Sequence, residues 1–290
     1  MIDPFVNHRS LLFTVAYEML GSAADAEDVV QETWLRWANV DQAGVNDPRA
    51  YLVQIVTRQA LNRLRTLSRR REEYVGEWLP EPLLTSPDVA DDVVLAESVS
   101  MAMLTVLETL GPTERVVFVL REVFDSPYAE IAQAVDKTPA AVRQITHRAR
   151  EHVASRRPRV PVSPAEQQAV VERFLAVLDS GDIQALVDVL APDVVLVADG
   201  GGQVAAARHP VVGADEVAGF LSRFAKFATN ADITLVWLNG APAVRIDVAG
   251  ELNTAVSVVI HGERISHIYA VRNPDKLARL GEEMRLSRTH

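Results

Sequence analysis

Beyond Pro158 and Pro161 the hydrophobic pattern of the chain changes: a helix from about Pro164 to Ser180 stops at Gly181, Asp182 caps another through Leu190, and strand-like runs then take over, which suggests a curled antiparallel sheet. Ahead of that point apolar residues recur three and four positions apart, in runs punctuated by cap-plus-proline starts. Beyond residue 190 short β-branched runs dominate instead. A helix-period sequence does not settle as a strand, so the chain predicts an all-α front and an α+β back.

Within the front, Leu11, Leu12, Val15, Ala16, Met19 and Leu20 form an apolar stripe that stops at Gly21. A second helix opens near Ser22 with Asp25, Glu27 and Asp28 in its early turns and buries Val29, Val30, Trp34 and Trp37. Asp47-Pro48 starts a third, carrying Tyr51, Leu52, Ile55, Val56, Ala60, Leu61 and Leu64 into the basic run Arg69, Arg70, Arg71. Residues 72–98 read as an acidic, proline-rich linker, because Pro80, Pro82 and Pro87 cannot sit in a helix interior. Trp78 within it is read as a docking anchor, with a plain surface aromatic as the other option. A second helical unit follows, with a stripe through Val99, Met103, Val106, Leu107 and Leu110 that Gly111-Pro112 ends. A short helix over 113–124 comes next, then two helices started by Ser126-Pro127 and Thr138-Pro139. The spacing of that last pair is a helix-turn-helix.

Composition matters chiefly through charge. The net charge of -10 argues against nucleic-acid binding only if the charge is spread evenly, and it is not. Residues 1–70 balance, 71–110 carry -8, 111–160 carry +3 and 161–290 carry -5. The chain has no cysteine, which excludes disulfides and thiolate metal sites. No charge-free apolar run approaches a membrane span, and Asp3 precedes any basic residue, so a cytosolic protein without a membrane partner is expected.

With Val142 and Ile145 turned inward, the helix after Thr138 presents Ala140, Arg143, Gln144, His147, Arg148 and Arg150. Arginine pairs bidentately with guanine, glutamine with adenine, and any of the three arginines with phosphate. Arg156, Arg157 and Arg159 add phosphate contacts or form a solvated linker. The third front helix offers Arg58, Gln59, Asn62, Arg63 and Arg65 beside Tyr51 and the loop Asn46-Asp47, a pattern suited to single-stranded DNA or to a merely solvated face.

At these residues a family likeness appears. The run DAEDVVQETWL at 25–35, the segments PRAYL at 48–52, IVTR at 55–58 and LNRLR at 61–65, and LGPTERVVF at 110–118 with YAEIA at 128–132 resemble, in order, the extracytoplasmic-function sigma factors. The resemblance implies a first domain at 1–71 and a second at 99–157. In the first, Asp25, Glu27, Asp28, Val29, Gln31, Glu32 and Trp34 would dock on the RNA polymerase core, and Asn46, Tyr51, Arg58, Asn62, Arg63 and Arg65 would open and read the -10 element. In the second, Thr138, Ala140, Arg143, Gln144, His147 and Arg148 would read the -35 element. Asp136 departs from the pattern by replacing the usual turn glycine, and aspartate tolerates the left-handed backbone needed there.

Residues 162–290 resemble the SnoaL-like branch of the cone-shaped fold shared with nuclear transport factor 2. Trp78, Leu79 and Pro80, the DGGG run Asp199, Gly200, Gly201 and Gly202, and the NPDKL run Asn273, Pro274, Asp275, Lys276 and Leu277 match signatures of sigma factors with this extension. They imply contacts by which the tail regulates the two DNA-binding domains. No cofactor, metal or enzymatic role is expected, although Asp199, Arg208, His209 and Asp247 would permit proton transfer if they met in one pocket. A small-molecule ligand of the tail stays open. The second reading is a ligand-gated DNA-binding regulator with a catalytic or ligand-binding SnoaL-type domain.

Overall fold

A computed structural model describes residues 3–71, 73–156, 162–227 and 230–289; the side chains of residues 68–71, 179 and 225–227 also lie outside the described set. The charges expected at Arg69, Arg70, Arg71, Arg157 and Arg159 and the boundary prolines 158 and 161 therefore fall outside it.

The front opens with α1 (Pro4–Leu20), α2 (Ala23–Trp37) and α3 (Pro48–Arg71). Local chemistry sets each end. The Asp3 carboxylate accepts from the amide of Phe5 at 2.8 Å, Gly21 takes φ 66° to close α1, and the Ser22 hydroxyl accepts from the Asp25 amide. Leu11, Leu12, Met19, Leu20, Val56 and Trp37 form the buried centre.

The following stretch is more structured than its prolines suggest. It contains a 3₁₀ turn at Pro87–Asp91 and α4 (Val93–Val99), whose Leu95 and Val99 are buried. The apolar stripe expected as one helix from 99 to 110 is broken at Ser100, whose hydroxyl caps α5 (Met101–Leu107) by accepting from Met103. The helix expected over 113–124 is also two pieces: α6 (Pro112–Phe118) widens into a π turn at Val119–Val123. Next come α7 (Tyr128–Val135) and α8 (Pro139–Arg156), joined through Asp136 at φ 54°, the left-handed conformation the turn requires. The two helical units do not have separate cores. One continuous buried cluster runs from Leu12, Val30 and Leu61 to Val116, Ile131 and Val142.

The back begins with α9 (Pro164–Ser180) and α10 (Ile183–Val189) and continues as β1 (Leu190–Asp199), β2 (Val211–Val212), α11 (Ala214–Phe227), β3 (Ala231–Leu238), β4 (Ala241–Val248), β5 (Glu251–His261), β6 (Arg264–Val271) and α12 (Pro274–Leu277). The sheet order is β2-β1-β6-β5-β4-β3. An antiparallel sheet is the expectation from sequence, and the sheet is mixed: β6 inserts between β1 and β5 and runs parallel to β1. Alternation along a strand gives the sheet two buried faces. Ile268 and Leu196 pack under α9, α10 and α11, while Tyr269, Val271, Leu238 and Ala243 turn the other way, toward Leu79, Met101 and Leu280.

That second face holds the linker. At the sheet edge Leu84 bridges antiparallel to Leu238 and parallel to Glu283, and the Thr85 amide donates to the Trp237 carbonyl at 3.0 Å. The linker thus satisfies an edge strand that would otherwise expose its ladder.

Candidate functional site

Asp199 ends β1 with its side chain fully buried, and three separate parts of the chain converge on it. It accepts from the Tyr74 hydroxyl at 2.6 Å, the Leu79 amide at 2.9 Å, the Gly201 amide at 2.9 Å and the Lys276 ammonium at 2.6 Å. Lys276 also donates to the Leu79 carbonyl and lies over the rings of Trp78, at 4.0 Å, and Tyr74, at 5.0 Å. Asn273 donates from its side chain to the Tyr74 hydroxyl at 2.8 Å and from its backbone to the Asp199 carbonyl at 2.9 Å. Gly201, at φ 61°, has no room for a Cβ against the Asn273 amide. Burial, reinforced by the hydrogen bond to Asp199, pushes the Tyr74 phenol well above its usual range, so it stays a donor at neutral pH. A desolvated carboxylate is stable here because an ammonium and three further donors replace water.

A second junction lies deeper. The loop between β3 and β4 is the dipeptide Asn239-Gly240, both residues at positive φ, and Asn239 is buried among three other segments. Its side chain donates to the Tyr17 hydroxyl at 2.7 Å and the Val99 carbonyl at 2.9 Å and accepts from the Leu83 amide at 3.0 Å. Tyr17 in turn donates to the Glu81 carbonyl at 2.6 Å. The Glu81 carboxylate accepts from the amides of Ala23, at 2.8 Å, and Ala24, at 3.3 Å, capping α2 from the linker. Beside it the Arg115 guanidinium, buried, donates to the Glu18 carbonyl and pairs with Glu108. Burial pushes Glu18 up to about 8 against the lowering effect of Ser98 and Arg115. An Asn-Gly pair between strands signals a hairpin, but no sequence signal foretells that it is a plug. Glu81 and Glu18 likewise escape a reading by period.

The residues expected on α2 divide. Asp25 pairs with Arg63, whose Nε lies 2.7 Å away, Asp28 lies 3.5 Å from the same guanidinium, and Glu27 lies 2.7 Å from Arg9. Gln31, Glu32 and Trp34 are exposed, with Leu35 beside them. Val29 is not on that surface: its position in the helical period turns it into the core. Trp34, expected on the apolar face, is on the outer one, because Trp37 fills the interior.

On α3, Arg58 donates to the Gln133 carbonyl of α7 at 2.9 Å. Asn46 and Tyr51 face the same helix across a cleft of about 320 Å³ that Glu130 and Gln133 close. Asn62 and Arg65 are exposed. On α8, Val142, Ile145 and Ala149 are buried while Ala140, Arg143, Gln144, His147 and Arg148 are exposed, and the Thr138 hydroxyl caps the helix by accepting from Ala141 at 3.2 Å. Arg143 lies over the Tyr128 ring at 5.4 Å, Arg148 is 3.8 Å from Glu114, and Arg150 is 2.8 Å from Glu122. Asp199, Arg208, His209 and Asp247 do not meet. Asp199 belongs to the node, Asp247 pairs with Arg245 at 2.8 Å, and Arg208 and His209 are exposed in the loop before β2.

The chain matches the sigma-70 region 2 family over residues 5–70, the sigma-70 region 4 family over 100–153 and the SnoaL-like domain family over 171–279. It is 41% identical to the ECF RNA polymerase sigma factor SigJ of Mycobacterium tuberculosis, over 76% of this chain and 72% of the relative. It is 32% identical to the probable ECF RNA polymerase sigma factor SigI of the same species, over 96% and 94%. The crystal structure of the M. tuberculosis SigJ superposes with a TM-score of 0.78 at 34% identity, covering 95% of this chain and 97% of that one.

Proposed function

This chain belongs to the extracytoplasmic-function RNA polymerase sigma factors, and from that premise we propose that its SnoaL-like tail is a built-in regulator that holds the promoter-reading elements closed. In this reading α2 docks on the polymerase core through Asp25, Glu27, Asp28, Gln31, Glu32 and Trp34. The face of α3 around Tyr51, Arg58, Asn62 and Arg63 opens the -10 element, and Arg143, Gln144, His147 and Arg148 of α8 read the -35 element in the major groove.

The observation that carries the proposal is the Asp199 node, which ties the linker between the two helical units to both the start of the sheet and the segment after it. A second observation agrees with it. Several of the groups assigned to polymerase or DNA are engaged within the chain: Arg63 with Asp25 and Asp28, and Arg58 with α7. The -10 and -35 elements are separated by about 25 base pairs, roughly 85 Å of B-form DNA. Helical units that share one buried core do not span that distance until they part.

Run-off transcription with core polymerase tests the reading. The full chain is expected to support initiation at a selected promoter, and Trp78→Ala, which removes the ring under Lys276 and beside Gly21, is expected to raise the yield severalfold. Absence of core-dependent transcripts from both proteins overturns the sigma-factor assignment of sites. Equal yields from both overturn the regulatory role of the node.

A further inference from the structure

Between the outer face of the tail's sheet and helices α4 and α5 lies a cleft of about 760 Å³, within the size range of small-molecule sites. One wall is Ser257, Val259 and Tyr269; the other is Ala96, Met101 and Met103. Tyr269 enters it from the side of the sheet opposite the interior that α9, α10 and α11 cover, since neighbouring residues of β6 face opposite ways and Ile268 packs inside; the first turn of α9 and Ile260 reach the cleft at the edge between the two faces.

Two features specify an occupant. Among the described residues no lysine, arginine or histidine lines the cleft, and the one charged side chain there, the exposed Glu97 at its rim, disfavours an anion; the remaining walls are mainly aliphatic and thioether groups that adapt to an apolar shape. Within those walls Tyr269 is 6% exposed, and its hydroxyl, which still reaches solvent at the cleft, makes no hydrogen bond to the described residues and is free to donate to an occupant. Burial raises this phenol to about 12, so it remains a donor across the physiological range.

We propose that this cleft binds a neutral, largely apolar small molecule through one oxygen that accepts a hydrogen bond from Tyr269, and that occupancy locks the tail onto the second helical unit. The locking half rests on the sigma-factor reading above; the binding half does not. Its direction follows from where the walls come from. The tail supplies one through the sheet and the start of α9, and the helical front supplies the other through α4, α5 and Ala154 of α8, so the whole site exists only while the two stay together, and a ligand that binds only that arrangement stabilises it by mass action. At a hundred times its dissociation constant the ligand shifts the balance toward the closed form about a hundredfold. The molecule is therefore a co-repressor of initiation rather than an inducer.

Nile red, a neutral fused-ring dye with a carbonyl acceptor, is the probe. Titrated into the full chain it is expected to bind saturably at one site with blue-shifted emission. Tyr269→Phe, which keeps the ring and its packing, should weaken binding about three- to tenfold, the contribution of one hydrogen bond. Ser257→Trp, which fills the cleft, should weaken it by more than about tenfold. Lack of saturable binding, or undiminished affinity in Tyr269→Phe, overturns the site, and the phenylalanine variant decides even if the tryptophan variant does not fold. In run-off transcription, saturating dye should lower the yield of the wild-type chain and leave Tyr269→Phe less affected at the same concentration; an unchanged wild-type yield overturns the locking. A chain that binds the dye but directs no initiation without it refutes the sigma-factor reading and leaves the binding site standing.

Discussion

At the scale of single residues, the chain buries several ionisable groups, Asp199, Glu81, Arg115 and Glu18 among them, and gives each at least one hydrogen-bond partner. Glu18 is the least satisfied. Its Oε1 accepts from Ser98 at 2.8 Å, its Oε2 has no partner among the described residues, and the charges facing it are Arg115 and Arg288. Burial raises it from 4.5 in the open chain to about 8. The folded state therefore holds its proton more tightly, so the stability linked to Glu18 is complete below about pH 4.5 and is lost as the pH rises through about 8. Differential scanning fluorimetry of the wild type and Glu18→Gln across that window should show the wild-type midpoint falling relative to the variant by about 5 °C or more; parallel curves would remove Glu18 from this role. The likeness to a known family singles out Trp78, Asp199, Asn273 and Lys276 in the sequence. Their chemistry as a buried carboxylate under an ammonium is not legible there, because it depends on which side chains exclude water from Asp199.

At the scale of elements, most starts and stops are local events and can be read directly. Ser22, Asp47, Thr138 and Asp182 cap as their types predict, and Gly21 and Gly181 end helices at positive φ, whereas Ser126 does not cap α7, whose N-cap position is taken by Pro127 with no side-chain hydrogen bond. The failures are also physical. Ser100 breaks a continuous apolar stripe, β2 and α12 are too short to carry a period, and the π turn after Phe118 buries Val119, Leu120 and Val123 in a run whose apolar pattern does not mark the wider turn. The recognition helix gives a sharp prediction from its two kinds of arginine. Arg143 is exposed, whereas Arg150 is held by Glu122 at 2.8 Å. In run-off transcription, Arg143→Ala should cost about 1–3 kcal/mol of promoter discrimination, read as lost preference at one position of the -35 element, while Arg150→Ala should leave the preference unchanged. An identical base preference in Arg143→Ala and the wild type would exclude Arg143 from base contact.

At the scale of the whole molecule, two helical units, a linker and a tail are bound into one arrangement whose charge is segregated: -8 in residues 71–110, -5 beyond 160, and +3 around the recognition helix. In the proposed reading the acidic linker and tail would lower the affinity of the basic helices for DNA at large, and productive binding would depend on polymerase adding its own contacts. If the units part when they engage core enzyme and promoter, the distance between them is the measurement to make. The absence of cysteine makes the labelling clean: Gln42→Cys and Glu151→Cys in the full chain carry a dye pair at exposed positions. Energy transfer should be high in the free protein and drop steeply on forming the promoter complex; transfer that stays high in an active complex would mean the shared core never opens.

The starts of the longer helices, the change of period from helix to strand, the basic face of α8 and the family resemblance all follow from the chain's local pattern, since capping, periodicity and motif spacing act over a few neighbouring residues. The shared core of the two helical units, the parallel run of β6 beside β1 and the fastening of the linker by Asp199 and Asn239 emerge only when the chain is folded. Those contacts join residues 120 and 222 positions apart, and which distant groups meet is settled by packing and by the need to satisfy buried donors and acceptors rather than by any local pattern.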